Sequence, residues 1–135
     1  SFTHSLIESL APFQVNLIVL AGFMEILPEC FFSQFQGEII NIHPSLLPSF
    51  SGKDAVKQAL DYGVKVSGCT VHYVSPIVDE GPIILQRSVL VSQWDTVESL
   101  TNRIHKEEFL ALTESINLIA DDKLLLKDRR VFIAS

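Results

Sequence analysis

The amino-acid sequence predicts an α/β fold, a mixed, mostly parallel sheet flanked by helices, in a single domain over residues 1–135. Three observations predict it. Short apolar runs of strand length alternate with segments of helical period. One run, Asn16 to Ala21, reads N-L-I-V-L-A without alternation, the habit of a strand covered on both faces in a parallel sheet. The connection from Ser75 to Gly81 is too short for a parallel crossover, so the sheet ends in an antiparallel pair.

In chain order, Thr3 to Ala11 reads as an amphipathic helix and Asn16 to Ala21 as the first strand. Pro28 suits the first turn of a short helix to Gln34, and Gly37 its exit. Glu38 to Ile42 is the second strand. Ser51-x-x-Asp54 resembles a capping box opening a helix that Gly63 closes. Lys65 to Val74 and Pro82 to Val91 are two further strands. Asp95-x-x-Glu98 is expected to cap a long helix running to about Ala120. Two short strands follow, near Lys123–Leu126 and Arg130–Ile133. The first strand looks central, yet nothing before it could cover one of its edges, and an open apolar edge is an aggregation liability.

Composition narrows the function classes. Apolar residues make up 47% of the 135 and charged residues 19%, enough for a real core. The formal charge of −6 argues against a nucleic-acid or anionic-membrane surface as the main partner. A single phosphate pocket needs only local donors and is still allowed. Cys30 and Cys69 are too few for a disulfide scaffold and read as buried thiols of a cytoplasmic protein. No apolar run approaches the ~18 residues that span a bilayer.

The segment Asn41-Ile42-His43-Pro44 sits at the carboxyl end of a predicted strand, where open α/β sheets bind ligands. Two positions apart on a strand, Asn41 and His43 share a face. That pairs an amide able to donate to a developing oxyanion with an imidazole that moves protons near neutrality. On the pattern alone, a structural Asn and His at a strand end is as good a reading. Asp79, in the turn Asp79-Glu80-Gly81-Pro82, either approaches His43 and stabilises its charged form or makes an ordinary Asx turn. His72 is either a hydrogen-bonded core histidine or a support beside His43 or Asp79.

Glu108 stands out by periodicity. Val97, Leu100, Ile104, Leu112, Ile116 and Ile119 form one stripe of the long helix, and position 108 belongs on it. An inward carboxylate needs a partner or a ligand cavity, unless the helix reaches solvent there. His105 lies one turn earlier. No dinucleotide, Walker or zinc-protease motif is present, and His4, His43, His72 and His105 make no recognisable metal set, so no metal is expected.

Taken together, Leu20-Ala21-Gly22-Phe23-Met24, the stretch from Asn41 to Phe50, Gly68 to Val74 and Asp79 to Gln86 resemble the phosphoribosylglycinamide formyltransferases, the GAR transformylases of the formyltransferase family, from about Ser5 to Leu118. The resemblance implies a Rossmann-like formyltransferase fold. It implies transfer of a formyl group from 10-formyltetrahydrofolate to the amine of glycinamide ribonucleotide, in purine (IMP) biosynthesis, by direct amine attack. Asn41, His43 and Asp79 match the catalytic trio. Met24, Ile26, Leu27, Asn41, Val78 and Asp79 match the folate-binding positions, while Pro44, His105 and Glu108 fall at the nucleotide site. The family begins with a strand and a Gly-rich phosphate-cradling loop. The resemblance therefore implies that the N-terminal strands, roughly 60–70 residues, are missing here and that the chain alone is inactive. Glu25 stands where the family usually has Arg, which implies a weaker folate interaction. Fusion to other purine-synthesis domains is a further expectation. Formyltetrahydrofolate deformylase shares the trio but usually has His at position 44 and Phe at 46, where this chain has Pro44 and Leu46. A non-catalytic folate-binding remnant is the alternative from another class.

Overall fold

A computed structural model describes residues 2–10, 15–21, 29–35, 37–75 and 80–135. Helix α1 (Phe2–Leu10) precedes strand β1 (Leu17–Ala21), and α2 (Glu29–Gln34) precedes β2 (Glu38–His43). Helix α3 (Ala55–Tyr62) leads to β3 (Val66–Tyr73) and β4 (Ile83–Leu90). Helix α4 (Val97–Ala120) and the hairpin β5 (Leu124–Lys127) and β6 (Arg130–Ile133) complete the chain.

Strands β1 to β4 form a mixed sheet in sequence order. β1 and β2 run parallel, while β2–β3 and β3–β4 run antiparallel. The short 75–81 connection therefore does what its length requires. The β2–β3 pairing departs from the parallel run that alternation suggests. Its long connection permits either direction, and α3 packs on α4 rather than crossing the sheet as a βαβ helix would. Among the described residues β1 is an edge strand.

Strand parity builds two cores. Ile40, Ile42, Cys69 and Val71 face α4, where Leu100, Ile104 and Ala111 meet them. Ile39, with Ile18 and Leu20, faces Phe31 of α2 and Leu6 and Ile7 of α1. Each fully buried Leu or Ile contributes ~1.5–3 kcal/mol. Cys69 is buried, but Cys30 is exposed, because Phe31 takes the inward position of α2.

Two expected caps differ in detail. α3 starts after Asp54, which sits at φ 56° and makes no side-chain cap, so the Ser51 capping box does not form. Gly63, at φ 88°, does close α3 through its N–H to the Ala59 and Leu60 carbonyls. In α4 the capping box lies one residue later than expected, between Thr96 and Ser99. Val97 is 46% exposed, so the inward stripe begins at Leu100, and the first turn is held by its cap rather than by burial.

Candidate active site

β2 delivers two polar side chains to one face of the sheet. Ile40 and Ile42 face α4, so Asn41 and His43 face the opposite way, beside Ile39. Register sets Asn41 against His72 and His43 against Thr70. All four are buried. The His43 ring Nε2 lies 2.8 Å from the Phe50 carbonyl. A carbonyl only accepts, so Nε2 carries the hydrogen and Nδ1 is the ring position that can gain or lose a proton. His72 is fixed likewise, Nδ1 donating to the Tyr73 carbonyl at 2.9 Å. The Asn41 oxygen Oδ1 is buried and has no hydrogen-bond partner among the described residues. Such an atom carries a desolvation cost of about 1–3 kcal/mol.

The segment after His43 is pinned by residues that sequence reasoning did not single out. The Thr70 hydroxyl donates to the Ser45 carbonyl at 2.7 Å. It accepts from the Leu47 N–H and from Gln86 Nε2, each at 3.0 Å. A hydroxyl has one donor and two acceptor sites, so this one is fully used. Gln86 also donates to the Leu47 carbonyl at 3.0 Å, and Ser45 Oγ to the Ser49 carbonyl at 2.5 Å. Phe50 adopts φ 52°, uncommon for a bulky residue, and its ring packs edge-on against Tyr62 at 5.8 Å. The strained residue is thus the one whose carbonyl seats His43. The bond from Leu47 to Pro48 is cis.

A cavity of about 410 Å³ opens on the other side of the same strand end. Ala21, Ile42, Pro44, Glu108, Phe109 and Leu112 line it, with His105 alongside. The Glu108 side chain is 15% exposed and that of His105 66%. His105 Nε2 stands 3.5 Å from Glu108 Oε1, which is buried and makes no hydrogen bond among the described residues. Burial pushes the Glu108 pKa up, and the charges of His105 and His43 oppose that rise. The inward carboxylate expected from the helical stripe is therefore present, and it faces a cavity rather than solvent.

The structure thus gathers Asn41, His43, Pro44, His72, His105 and Glu108 at the carboxyl end of β2. Met24, Ile26, Leu27, Val78 and Asp79, with Glu25, lie outside the described residues. The described part of the 75–81 connection shows why it ends in Gly81. A Cβ there would stand 1.5 Å from the Tyr73 carbonyl oxygen, so only glycine lets the chain close onto β3.

Comparison with known proteins meets this geometry from outside. A family model described as "Formyl transferase" matches residues 1–116. The Bacillus subtilis phosphoribosylglycinamide formyltransferase is 49% identical over 108 residues, covering 80% of this chain and 55% of that protein. A trifunctional purine biosynthetic protein of Chironomus tentans is 46% identical over 129 residues, covering 96% of this chain and 9% of its own length. The chain thus spans about half of the shorter of these two relatives and a small part of the longer. Among solved structures, glycinamide ribonucleotide transformylase 1 of Symbiobacterium toebii superposes with a TM-score of 0.95 at 48% identity, covering 99% of this chain and 63% of that one. A formyltetrahydrofolate deformylase of Pseudomonas syringae gives a TM-score of 0.91 at 33% identity, covering 98% and 45%.

Proposed function

Because the chain belongs to the formyl transferase family, we propose that it carries the formyl-transfer step from 10-formyltetrahydrofolate to the amine of glycinamide ribonucleotide in purine biosynthesis. The observation that supports this reading most directly is the buried Asn41 amide, whose Nδ2 is the kind of donor an oxyanion needs, on one strand face with a buried histidine already seated.

The substrate amine attacks the formyl carbon. A C–N bond forms, the carbonyl π pair moves onto oxygen, and a tetrahedral oxyanion results. The Asn41 amide and the protonated His43 ring donate to that oxygen. Collapse restores the carbonyl and expels the folate nitrogen, which takes up the proton the amine loses. Asp79 is the proposed partner of the charged His43 and carries that proton through water. Met24, Ile26, Leu27 and Val78 are the proposed walls of the folate site. Pro44 and Glu108 are proposed to hold the nucleotide, the carboxylate accepting from its ribose hydroxyls. The proposed setting is cytoplasmic, and the Chironomus relative makes fusion with other purine-synthesis domains one arrangement in which such a domain works.

The deformylase reading has one observation in its favour, the Pseudomonas structure. Water would then replace the amine as nucleophile. Pro44 beside the Glu108 cavity favours the transferase, because a hydrolase needs no nucleotide cavity.

The test is an assay of the natural full-length protein for tetrahydrofolate release with and without glycinamide ribonucleotide. Amine-dependent release is expected, with kcat lowered ~10²–10³-fold by Asn41→Ala, the usual cost of losing one oxyanion donor. Near-normal turnover of that variant would remove Asn41 from the mechanism. Equal release without the amine would establish the hydrolase. Folate binding with no turnover at all would leave a non-catalytic folate-binding protein.

A further inference from the structure

The Glu108 cavity contains a carboxylate whose countercharge, among the described residues, is titratable. Among the described residues two imidazoles act on Glu108 when protonated, His105 on its own helix and His43 from β2. From β3 the group that senses Glu108 is the Cys69 thiol, which is neutral, burial having pushed its pKa to about 11. The neighbouring Glu107 draws off the Arg87 guanidinium of β4, at 2.5 Å. Among the described residues no permanent cation therefore reaches Glu108. Histidine is the one side chain whose ordinary charge change falls in the physiological range.

The two imidazoles are not equivalent. His43 is buried and committed to the Phe50 carbonyl. His105 is mostly exposed and lies beside Glu108 at 3.5 Å without forming a hydrogen bond. It can offer charge without occupying the lone pairs a ligand hydroxyl would use. We propose that His105 is a positioning residue for the nucleotide substrate: its imidazolium keeps Glu108 a hydroxyl-accepting carboxylate in mildly acidic conditions. This rests on the cavity being the nucleotide site, as proposed above.

The sign follows from the chemistry. A carboxylate accepts from two hydroxyls, whereas a protonated carboxyl spends one oxygen as a donor. Affinity for a diol therefore falls as pH drops through the titration of Glu108. A neighbouring cation delays that fall, and removing the cation advances it toward neutrality.

The experiment is the pH dependence of KM and kcat for the amine substrate in the full-length protein, with His105→Gln and His105→Lys. On the acid side, His105→Gln is expected to raise KM severalfold over the unsubstituted protein, and the two should converge as pH rises above the titration of Glu108. His105→Lys, which keeps a charge at every pH in this range, should follow the unsubstituted protein. The effect should lie in KM, with the kcat profile retaining its shape. Superimposable KM profiles for His105→Gln and the unsubstituted protein would overturn the proposal, as would an equal acid-side rise for His105→Lys. Carboxyl-carbon NMR of Glu108 in the ligand-free protein separates this from a failure of the proposed function. There His105→Gln should move the Glu108 titration to higher pH and His105→Lys should not, whether or not the protein transfers formyl groups. An unmoved titration in His105→Gln would end the pairing.

Discussion

Asp95 and Glu108 are both shielded carboxylates, one just before α4 and one in its middle, and their surroundings drive them in opposite directions. The Asp95 side chain is 3% exposed. It accepts from Arg103 Nη1 at 2.6 Å and Nη2 at 2.9 Å, from Ser99 Oγ at 2.7 Å, and from the Ser92 N–H at 2.7 Å. These donors, Arg103 first, hold its pKa far below the usual carboxylate range. Glu108 is 15% exposed and accepts no hydrogen bond at Oε1, and its pKa is pushed up. The same functional group thus meets opposite outcomes: fixed donors, Arg103 first, dominate at Asp95, and desolvation dominates at Glu108. Asp95 belongs to the fold, because Arg103 also donates to the Leu90 carbonyl at 2.5 Å and so ties the end of β4 to α4. Glu108 makes no such tie at Oε1 among the described residues and faces the cavity.

Substituting each carboxylate by its amide tests this contrast. Asp95→Asn should have the largest effect, lowering the thermal unfolding midpoint by several degrees at neutral pH. A depressed folded-state pKa gives stability that is present above the unfolded value, ~3.9 for Asp, and lost as pH falls through the folded one. The gap between Asp95→Asn and the unsubstituted protein should therefore close progressively below about pH 4. A gap that persists undiminished in strong acid would show that Asp95 acts by packing rather than charge.

Glu108→Gln should move stability the other way and by less. A carboxyl whose folded pKa is raised destabilises the fold as pH rises from the unfolded value, ~4.3 for Glu, and carries its full penalty above the folded value. The variant should unfold at a higher temperature than the unsubstituted protein at about pH 8 and at the same temperature near pH 4. Under the proposed function it should also raise KM for the amine substrate, so stability and affinity move in opposite senses. A Glu108→Gln protein destabilised at about pH 8 would make Glu108 a structural residue and dissolve the comparison.

How far each feature was legible in the sequence follows from how far away its cause lies. The Asn41–His43 pair could be read because strand parity is local, and Glu108 because it interrupts a helical stripe. The α4 cap was misplaced by one residue because Asp95 and Glu98 satisfy the local pattern. The partner that claims Asp95 is Arg103, two turns into the helix, and the cap falls to Thr96 and Ser99. The Thr70 hub could not be read at all, since its carbonyl and amide partners lie 25 and 23 residues away and Gln86 lies 16 away. The β2–β3 direction was hidden for the same reason: a long connection fixes nothing about the strand that follows it. Cys30 illustrates a weaker inference, in which a residue's usual burial yields to the phenylalanine beside it.

A third carboxylate isolates the remaining variable. Asp61 on α3 accepts from Lys57 Nζ at 2.5 Å, as short as any contact Asp95 makes, but both side chains are 63% exposed. The hydrogen bond and charge of Asp61 push the Lys57 pKa up. Solvent screens the pair, however, and ordering two long exposed side chains offsets what the contact contributes. Asp61→Asn should leave the unfolding midpoint where it is at neutral pH and at low or high salt. If distance alone set the value of a carboxylate contact, this variant would behave like Asp95→Asn, and the drop would shrink as salt is added. The expected flat result would leave enclosure by fixed donors, rather than proximity to a cation, as what separates Asp95 from both Asp61 and Glu108.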